Sequence, residues 1–256
     1  MAISSRVPRI PEDLERTAIL LDVDGTILDL APTPREVFVP HSLREVLDRL
    51  LSRTGGAVAF VSGRPLQELD LIFSPLQLPA IGGHGAEMRT VPGEAAKAPR
   101  LSPLDPDVKR RFAAIAEAGP GIILEDKGYS LALHYRLAPA KEPLVREAAA
   151  KICASFDGGA LELLPGKLVL EIKQRGTTKA TAVRELMTQS PFRGRRPIFI
   201  GDDVTDLSVF AIMPELNGIS ISVGQTIAGV DFCFDQPADV RRWLDETSRA
   251  GEFATS

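Results

Sequence analysis

One stretch near the beginning of the chain decides its fold: Ala18-Ile19-Leu20-Leu21-Asp22-Val23-Asp24-Gly25-Thr26. Four apolar residues run directly into two acids, which is typical of a short buried strand with a polar end. Because side chains alternate along a strand, Asp22 and Asp24 are predicted to point to the same side. Gly25 allows the backbone to turn away at this point and leaves room for a ligand to approach.

Two carboxylates at one strand end repel each other, and burying them without partners is costly. A bound cation removes that cost, and Mg²⁺ takes carboxylate oxygens as ligands. A plain polar turn explains an Asp-Gly pair but not two acids on one face. A calcium loop requires glycine at its sixth position, whereas Gly25 is fourth from Asp22, so we reject it. The stretch therefore indicates a divalent-cation site.

Composition excludes several classes of protein. The chain has 256 residues and a hydrophobic content of 44%, enough for a large domain or two modest ones. Its net charge of −4 argues against a nucleic-acid-binding domain, which is usually basic. Cys153 and Cys233 form no C-x-x-C pair and fit a reducing compartment. Residues 1–15 have no signal-like apolar region and no run could span a bilayer, so we expect a cytoplasmic protein without membrane partners.

Strand and helix patterns alternate in the first part of the chain. A helix is predicted over 41–53, a strand over 57–61, a helix with Pro65 at its first position, and a strand over 79–82. This alternation is typical of a parallel α/β sheet, whose ligands bind beyond the carboxyl ends of the strands. The polar residues after these strands are therefore expected to converge on one site; they include Ser62, Arg64 and His84.

The pattern changes after a Pro-, Ala- and Lys-rich stretch around 91–103, which we interpret as a linker. Two helices then alternate with two hairpins, whose turns are predicted at Asp126-Lys127-Gly128 and at Pro165-Gly166. Such an order favours an antiparallel sheet with helices on one face. We therefore predict three parts: a polar lead-in at 1–16, an α/β core at 17–100 and 175–256, and an inserted α+β domain at 101–174.

The α/β pattern resumes after Arg175. A helix is predicted to start near Lys179, and a strand over 196–200 runs into Gly201-Asp202-Asp203-Val204-Thr205-Asp206. An Asp-rich turn is common by itself, but three acids directly after a buried strand indicate metal binding. Later strands are predicted over 219–223 and 232–234, followed by a helix over 238–246.

These residues are suited to hydrolysing a phosphate ester, which needs a nucleophile, a proton donor, a metal and contacts to phosphate oxygens. Asp22 is the candidate nucleophile, and Asp24 is the candidate general acid and then base. Ser62 offers a hydroxyl to a phosphate oxygen, although it also suits a helix N-cap. Lys179 offers a positive charge, although a lone lysine is usually solvated.

In chain order, Asp22-x-Asp24, Ser62, Lys179 and Asp202-Asp203 match the four motifs of the haloacid dehalogenase (HAD) superfamily, which the chain resembles. Several further motifs look like those of its trehalose-6-phosphate phosphatase family: His84-Gly85-Ala86-Glu87, Glu125-Asp126-Lys127-Gly128, Leu133-His134-Tyr135-Arg136, Gly166-Lys167, Glu171-Ile172-Lys173, and residues 201–206 with Phe210. The likeness covers nearly the whole chain from Ala18 to Trp243.

This resemblance implies a HAD-like Rossmannoid parallel-sheet core with an inserted α+β cap of the C2 type. It implies a monomer that hydrolyses trehalose 6-phosphate, the last step of trehalose biosynthesis, through an aspartyl-phosphate. Mg²⁺ would be held by Asp22, the Asp24 carbonyl and Asp202, while Asp203 and Asp206 would orient waters or Lys179. The implied substrate contacts are Gly25, Arg64, His84, Glu125, Lys127, Arg136, Lys167 and Glu171.

Two positions depart from the family pattern: Leu207 stands where glutamate is usual, and Ala180 stands where glycine is usual. One alternative is a phosphatase for another sugar phosphate, of the sucrose 6-phosphate or mannosylglycerate type, which only the inserted domain would discriminate. The other is a non-catalytic sugar-phosphate-sensing domain, which would be expected to lose Asp22 or Asp24. Without the resemblance, the alternation of Glu171 and Lys173 on a strand would favour two solvent-facing side chains.

Overall fold

A computed structural model gives the fold of the chain and describes residues 8, 9, 11, 13–31, 36–94, 101–156 and 160–250. Much of the lead-in predicted over 1–16, and part of the linker predicted around 91–103, lie outside these residues. None of the helices in this described part is both long and apolar enough to cross a bilayer.

Within the described ranges, seven strands form the larger sheet. They are β1 (Thr17–Leu21), β2 (Val58–Val61), β3 (Ala80–Gly82), β4 (Glu87–Arg89), β9 (Arg196–Gly201), β10 (Ile219–Val223) and β11 (Phe232–Phe234). Their order is β11-β10-β9-β1-β2-β3-β4, and every pair is parallel except β3 with β4. The first strand therefore lies in the middle of the sheet, where Ile19 pairs with both Val58 and Ile198.

Helices cover both faces of this sheet because its central strand is apolar on both sides. The helices are α1 (His41–Arg53), α2 (Leu66–Phe73), α5 (Lys179–Leu186), α6 (Leu207–Phe210) and α7 (Pro237–Arg249). Ile19 and Leu21 belong to the cluster with Leu47 of α1 and Trp243 of α7. Ala18 and Leu20 belong to the other cluster, which includes α5 and α6. Full burial of each such leucine contributes about 1.5–3 kcal/mol.

The second sheet is antiparallel and built from consecutive chain segments. Its elements are α3 (Pro106–Glu117), β5 (Ile123–Asp126), β6 (Ser130–His134), α4 (Glu142–Ala154), β7 (Leu161–Gly166) and β8 (Val169–Gln174), with strand order β5-β6-β8-β7. Phe112 of α3 and Val145 of α4 pack with Leu131 and Ile172 in its core. The predicted alternation of helices and antiparallel hairpins is therefore observed.

Two local predictions were wrong, and one strand was missed. No strand was predicted over β4, because two of its three residues are charged and give no apolar pattern. Pro65 is the N-cap of α2 rather than its first helical residue. The second hairpin turns at Lys167-Leu168, since Pro165 pairs with Leu170 inside the strand. Proline is tolerated there because β7 is an edge strand and donates no hydrogen bond on its outer side.

Candidate active site

A cavity lies between the carboxyl edge of the core sheet and the open face of the antiparallel sheet. It is lined by thirteen of the predicted site residues: Asp22, Asp24, Ser62, Arg64, His84, Glu125, Lys127, Arg136, Lys167, Glu171, Lys179, Asp202 and Asp203. Two others, Gly25 and Asp206, lie directly behind this wall. The strand ends that the sequence predicted to converge do converge.

Lys179 joins two acids at the centre of the site, one after β1 and one after β9. Thr178 caps the amino end of α5 by accepting a hydrogen bond from the Thr181 amide, which fixes Lys179 at the first helical position. The buried Lys179 Nζ donates to Asp22 Oδ1 at 2.8 Å and to Asp206 Oδ1 at 2.7 Å. The prediction that Lys179 would approach the acids thus has a geometric basis, and the lysine is not solvated.

Asp206 supports this arrangement from behind. Its Oδ2 accepts the backbone N–H groups of Asp202 at 3.0 Å and of Asp203 at 3.1 Å. Because its other oxygen accepts from Lys179, the fully buried carboxylate ties the loop after β9 to α5.

Gly25 is required by the close approach of Asp202. Its φ is +85°, and a Cβ there would lie 2.2 Å from Asp202 Oδ2. Thr26 Oγ1 lies 3.0 Å from Asp22 Oδ2 and 3.2 Å from Asp202 Oδ1, so it joins the two acids. The structure therefore packs Gly25 against Asp202, and the substrate contact predicted for Gly25 stays a prediction.

Three buried carboxylates crowd together here: Asp22, Asp202 and Asp206 each offer an oxygen within 4.8 Å of the others. Burial raises the pKa of Asp22 to about 7, although the charge of Lys179 opposes the shift. Burial, reinforced by Asp22, raises the pKa of Asp202 to about 7 against the opposing Lys167. Burial would lower the pKa of Lys179, but Asp206 and Asp22 outweigh it and hold that pKa above its ordinary value. The acids outnumber their cations, which suits a divalent cation.

Asp24 has a different partner. Arg64 Nε donates to Asp24 Oδ2 at 2.6 Å, and Arg64 Nη2 donates to Asp24 Oδ1 at 2.7 Å. Arg64 Nη1 reaches Glu68 Oε2 at 3.3 Å. Ser62 Oγ is buried and accepts the Arg64 backbone N–H at 3.2 Å within the loop before α2. The N-cap role considered for Ser62 is wrong, because Pro65 is the N-cap of α2.

A second charged cluster lies on the antiparallel sheet opposite the core acids. Lys127 Nζ donates to Glu171 Oε2 at 3.0 Å and to the Gly63 carbonyl at 2.8 Å. His84 Nε2 lies 3.0 Å from the same Glu171 oxygen. Burial alone would raise the pKa of Glu171, but Lys127 and His84 hold it below its ordinary value. The solvent-facing alternative for Glu171 and Lys173 is wrong, since both side chains are buried.

Further contacts cross from the antiparallel sheet to the core. Lys167 Nζ forms an ion pair with Asp202 Oδ2, and Arg136 Nη1 donates to the Ala31 carbonyl. Glu125 instead stays within its own sheet, where His134 Nε2 lies 2.7 Å from its Oε2. Together with Lys127, these residues close one side of the cavity with charge.

Glu68, Thr26 and His134 contact predicted site residues and were not selected from the sequence. Glu68 lies in the first turn of α2, whereas Arg64 precedes the helix, so no helical spacing within the sequence signalled this pair. Thr26 ends the opening motif, and His134 lies inside the family motif Leu133-His134-Tyr135-Arg136. For all three residues, the sequence did not show which site residue each one contacts.

Comparisons with known proteins show which family the chain resembles. A family model described as trehalose-phosphatase matches residues 20–231. A probable trehalose-phosphate phosphatase of Sinorhizobium fredii is 41% identical over 215 residues, covering 84% of this chain and 80% of the relative. A trehalose-6-phosphate phosphatase of Escherichia coli is 36% identical over 240 residues, covering 94% and 90%.

A solved structure shows the same fold. The C-terminal domain of a C. albicans trehalose-6-phosphate phosphatase superposes with a TM-score of 0.78 at 20% identity, covering 91% of this chain and 93% of that one. The HAD-like α/β fold class predicted from the sequence is confirmed. Since the family model and both relatives span most of the sequence that builds this site, the chain belongs to the trehalose-phosphatase family.

Proposed function

We propose that the protein hydrolyses trehalose 6-phosphate to trehalose and inorganic phosphate through an aspartyl-phosphate. One observation carries the proposal: Asp22, held by Lys179 and beside Asp24, faces a charged sheet across a cavity in a member of this family. The relatives described above are named for the same phosphatase activity.

In the first step an Asp22 oxygen attacks phosphorus while the bond from phosphorus to the sugar oxygen breaks. The leaving oxygen takes a proton from Asp24, which releases trehalose. In the second step Asp24 accepts a proton from water as the water oxygen attacks phosphorus. The bond from phosphorus to Asp22 breaks, phosphate leaves, and Asp22 is a carboxylate again. Lys179 holds Asp22 in place in both steps.

Mg²⁺ fits the donors present. Asp22, Asp202 and the Asp24 carbonyl would hold it, and the surplus of buried carboxylates over lysines supports this assignment. When bound, Mg²⁺ neutralises charge on the transferring phosphoryl group. Asp206 is engaged by Lys179 and by two backbone amides, which suits the orienting role proposed for it. Asp203, whose Oδ1 accepts the Val204 N–H at 2.6 Å, would orient water.

The segment 101–174 would act as the cap that selects the sugar, with residues 17–100 and 175–256 as the core. Disaccharide hydroxyls need converging donors and acceptors, which Glu125, Lys127 and Glu171 supply from two cap hairpins. Lys167, Arg136 and His84 complete this wall. Closure of the cap would exclude water and use binding energy from the sugar to assemble the site.

Phosphate release from a panel of sugar phosphates, with and without Mg²⁺, tests the function. The panel contains trehalose 6-phosphate, sucrose 6-phosphate, glucose 6-phosphate and a mannosylglycerate phosphate. We expect trehalose 6-phosphate to have the highest kcat/KM of the four. A preference for another member would reassign the substrate while keeping the chemistry. Binding without release would support the sensing alternative, against which the close association of Asp22 with Lys179 already argues.

We also propose that the protein acts in the cytoplasm as a monomer. Cys153 and Cys233 are both free thiols, which suits a reducing compartment. Size-exclusion chromatography with light scattering checks the monomer directly, since a dimer doubles the measured mass.

A further inference from the structure

We propose that Arg64 is a positioning residue that orients the Asp24 carboxyl for proton transfer, rather than a substrate contact. The inference rests on the proposed phosphatase chemistry, in which Asp24 protonates the leaving oxygen. It departs from the role implied by the resemblance, where Arg64 contacts the substrate.

The geometry points to Asp24 as the group that Arg64 serves. Both Asp24 oxygens accept from Arg64, at 2.6 and 2.7 Å, which is the two-bond fork that a planar guanidinium makes with a carboxylate. This fork fixes the plane of the carboxyl more tightly than one hydrogen bond would. The third guanidinium nitrogen, Nη1, faces Glu68 at 3.3 Å. Each nitrogen of Arg64 therefore faces an acid of the protein.

Arg64 is itself firmly held. Its backbone N–H donates to Ser62 Oγ at 3.2 Å, and its carbonyl accepts the Gly83 N–H at 3.0 Å. Its side chain is 9% exposed, whereas that of Asp24 is 30% exposed and borders the cavity. A buried, anchored guanidinium thus presents a more open carboxyl to the place where substrate binds.

This arrangement is compatible with proton delivery. When Asp24 carries a proton, one oxygen donates to the leaving group while the other still accepts from Arg64. The remaining bond keeps the direction of the O–H group. A displacement of a reacting group by about 1 Å costs on the order of a hundredfold in rate, so the loss of this bond should be measurable.

The test measures how kcat/KM depends on the leaving group. A series of aryl phosphates, from good to poor phenolate leaving groups, is assayed at saturating Mg²⁺ with the unmodified enzyme and Arg64→Met. Good leaving groups need no proton, so we expect rates within about threefold of the unmodified enzyme, whereas the poorest should lose about a hundredfold. Arg64→Lys, which keeps the charge without the fork, should behave like Arg64→Met.

Two further variants isolate the cause. In an Asp24→Asn background, Arg64→Met should not make kcat/KM depend more steeply on the leaving group, because the Asp24 carboxyl that Arg64 orients is already lost. Arg89→Met is the matched control, since buried Arg89 also makes a two-bond fork with a carboxylate, through Nη1 and Nη2 to Asp70 at 2.8 and 2.6 Å, outside the cavity lining. The kcat/KM of Arg89→Met should change with the leaving group by the same factor as that of the unmodified enzyme. Circular dichroism confirms that each variant is folded.

The opposite outcomes are distinct. An equal loss with every aryl phosphate would mean that Arg64 binds phosphate or supports the fold. A loss confined to trehalose 6-phosphate would mean that Arg64 binds the sugar. Either result overturns the inference. Failure of the unmodified enzyme to cleave trehalose 6-phosphate would instead remove the proposed function, and the aryl series would still test Arg64.

Discussion

Asp22 and Asp202 of the core and Glu171 of the antiparallel sheet are all buried, yet their pKa values move in opposite directions. Burial raises the pKa of Asp22 and of Asp202 to about 7. The pKa of Glu171 is lowered despite burial, because Lys127 and His84 face it, and that of Glu125 is lowered, mainly by its hydrogen bond with His134. Burial therefore prevails where acids share a cation, as Asp22 and Asp206 share Lys179, and it is overcome where an acid has partners of its own, as Glu171 has Lys127.

The difference indicates what each region is built to bind. In the core, Lys179 is shared by Asp22 and Asp206, and Lys167, which pairs with Asp202, is 42% exposed. This surplus of acid suits a divalent cation together with a phosphate. In the antiparallel sheet Glu171 pairs with Lys127 and Glu125 contacts His134, so the charges on this surface are balanced, which suits the neutral hydroxyls of a sugar.

The largest expected effect comes from Asp22→Asn, which removes the nucleophile and keeps nearly the same shape. We expect phosphate release from trehalose 6-phosphate to fall by about 10⁴-fold or more. Circular dichroism should show an unchanged fold. Near-normal turnover by this variant would contradict the assignment of Asp22 as the nucleophile. It would also contradict the conclusion that the core acids catalyse the reaction.

Removal of divalent cations should have the next largest effect. Excess chelator should lower the rate by roughly 10³-fold, several kcal/mol, and added Mg²⁺ should restore it. Asp202→Asn should raise the Mg²⁺ concentration needed for half-maximal rate far more than Asp206→Asn, because Lys179 and two amides already occupy Asp206. Full activity in excess chelator would show that the excess of buried carboxylates in the core does not serve to bind a divalent cation.

The balanced surface should determine selectivity instead. Glu171→Gln and Lys127→Met should each lower kcat/KM for trehalose 6-phosphate by roughly ten- to a thousandfold, about 1.4 to 4 kcal/mol. Hydrolysis of a generic aryl phosphate should stay within a few-fold, since such a substrate does not reach the cap. Lys109→Met provides a cap control, because Lys109 pairs with Asp126 outside the cavity lining. Equal losses on both substrates would contradict the assignment of chemistry to the core and of selectivity to the antiparallel sheet.

The smallest effect, on stability without metal, should differ in sign between the two regions. Asp202 has a raised folded pKa, so it binds a proton more readily folded than unfolded and destabilises the metal-free protein as pH rises from about 4 to about 7. Asp202→Asn should therefore raise the Tm at about pH 8, and the difference should vanish near pH 4.

Glu171→Gln should lower the Tm at the same pH. The folded pKa of Glu171 is lowered, so its contribution is present above the unfolded value of about 4.3 and is lost as pH falls further. Each 1 kcal/mol moves the Tm by about 2–4 °C, which calorimetry in chelator resolves. Shifts of the same sign for both variants would contradict the comparison.

Local patterns predicted the elements that carry the site. The apolar run before Asp22, the helix over 41–53 and the strand before Asp202 are observed where expected. These features depend on spacing within a few residues, which a sequence displays directly. The convergence of strand ends also followed, because parallel topology brings them to one edge.

The partners of the site residues were not predictable in the same way. The fork between Arg64 and Asp24, and the approach of Lys167 to Asp202, join residues distant in the chain. No periodic pattern reports such contacts. The turn at Lys167-Leu168 was misplaced because proline and glycine are typical turn residues, and only the edge position of β7 shows why they continue the strand.

The central position of β1 has a consequence for synthesis on the ribosome. Lys179 follows Asp22 by 157 residues, and Asp202 follows Thr26 by 176. At about 5–20 residues per second, the 140 residues from the end of β2 at Val61 to the end of β9 at Gly201 take roughly 7–28 s, and over that time β1 is paired on one side only. During that interval the edge of β1 that later meets β9 is open to aggregation or to a chaperone. No product that ends before Asp206 holds the complete acid cluster, so activity in a translation time course should appear only after the last motif is synthesised.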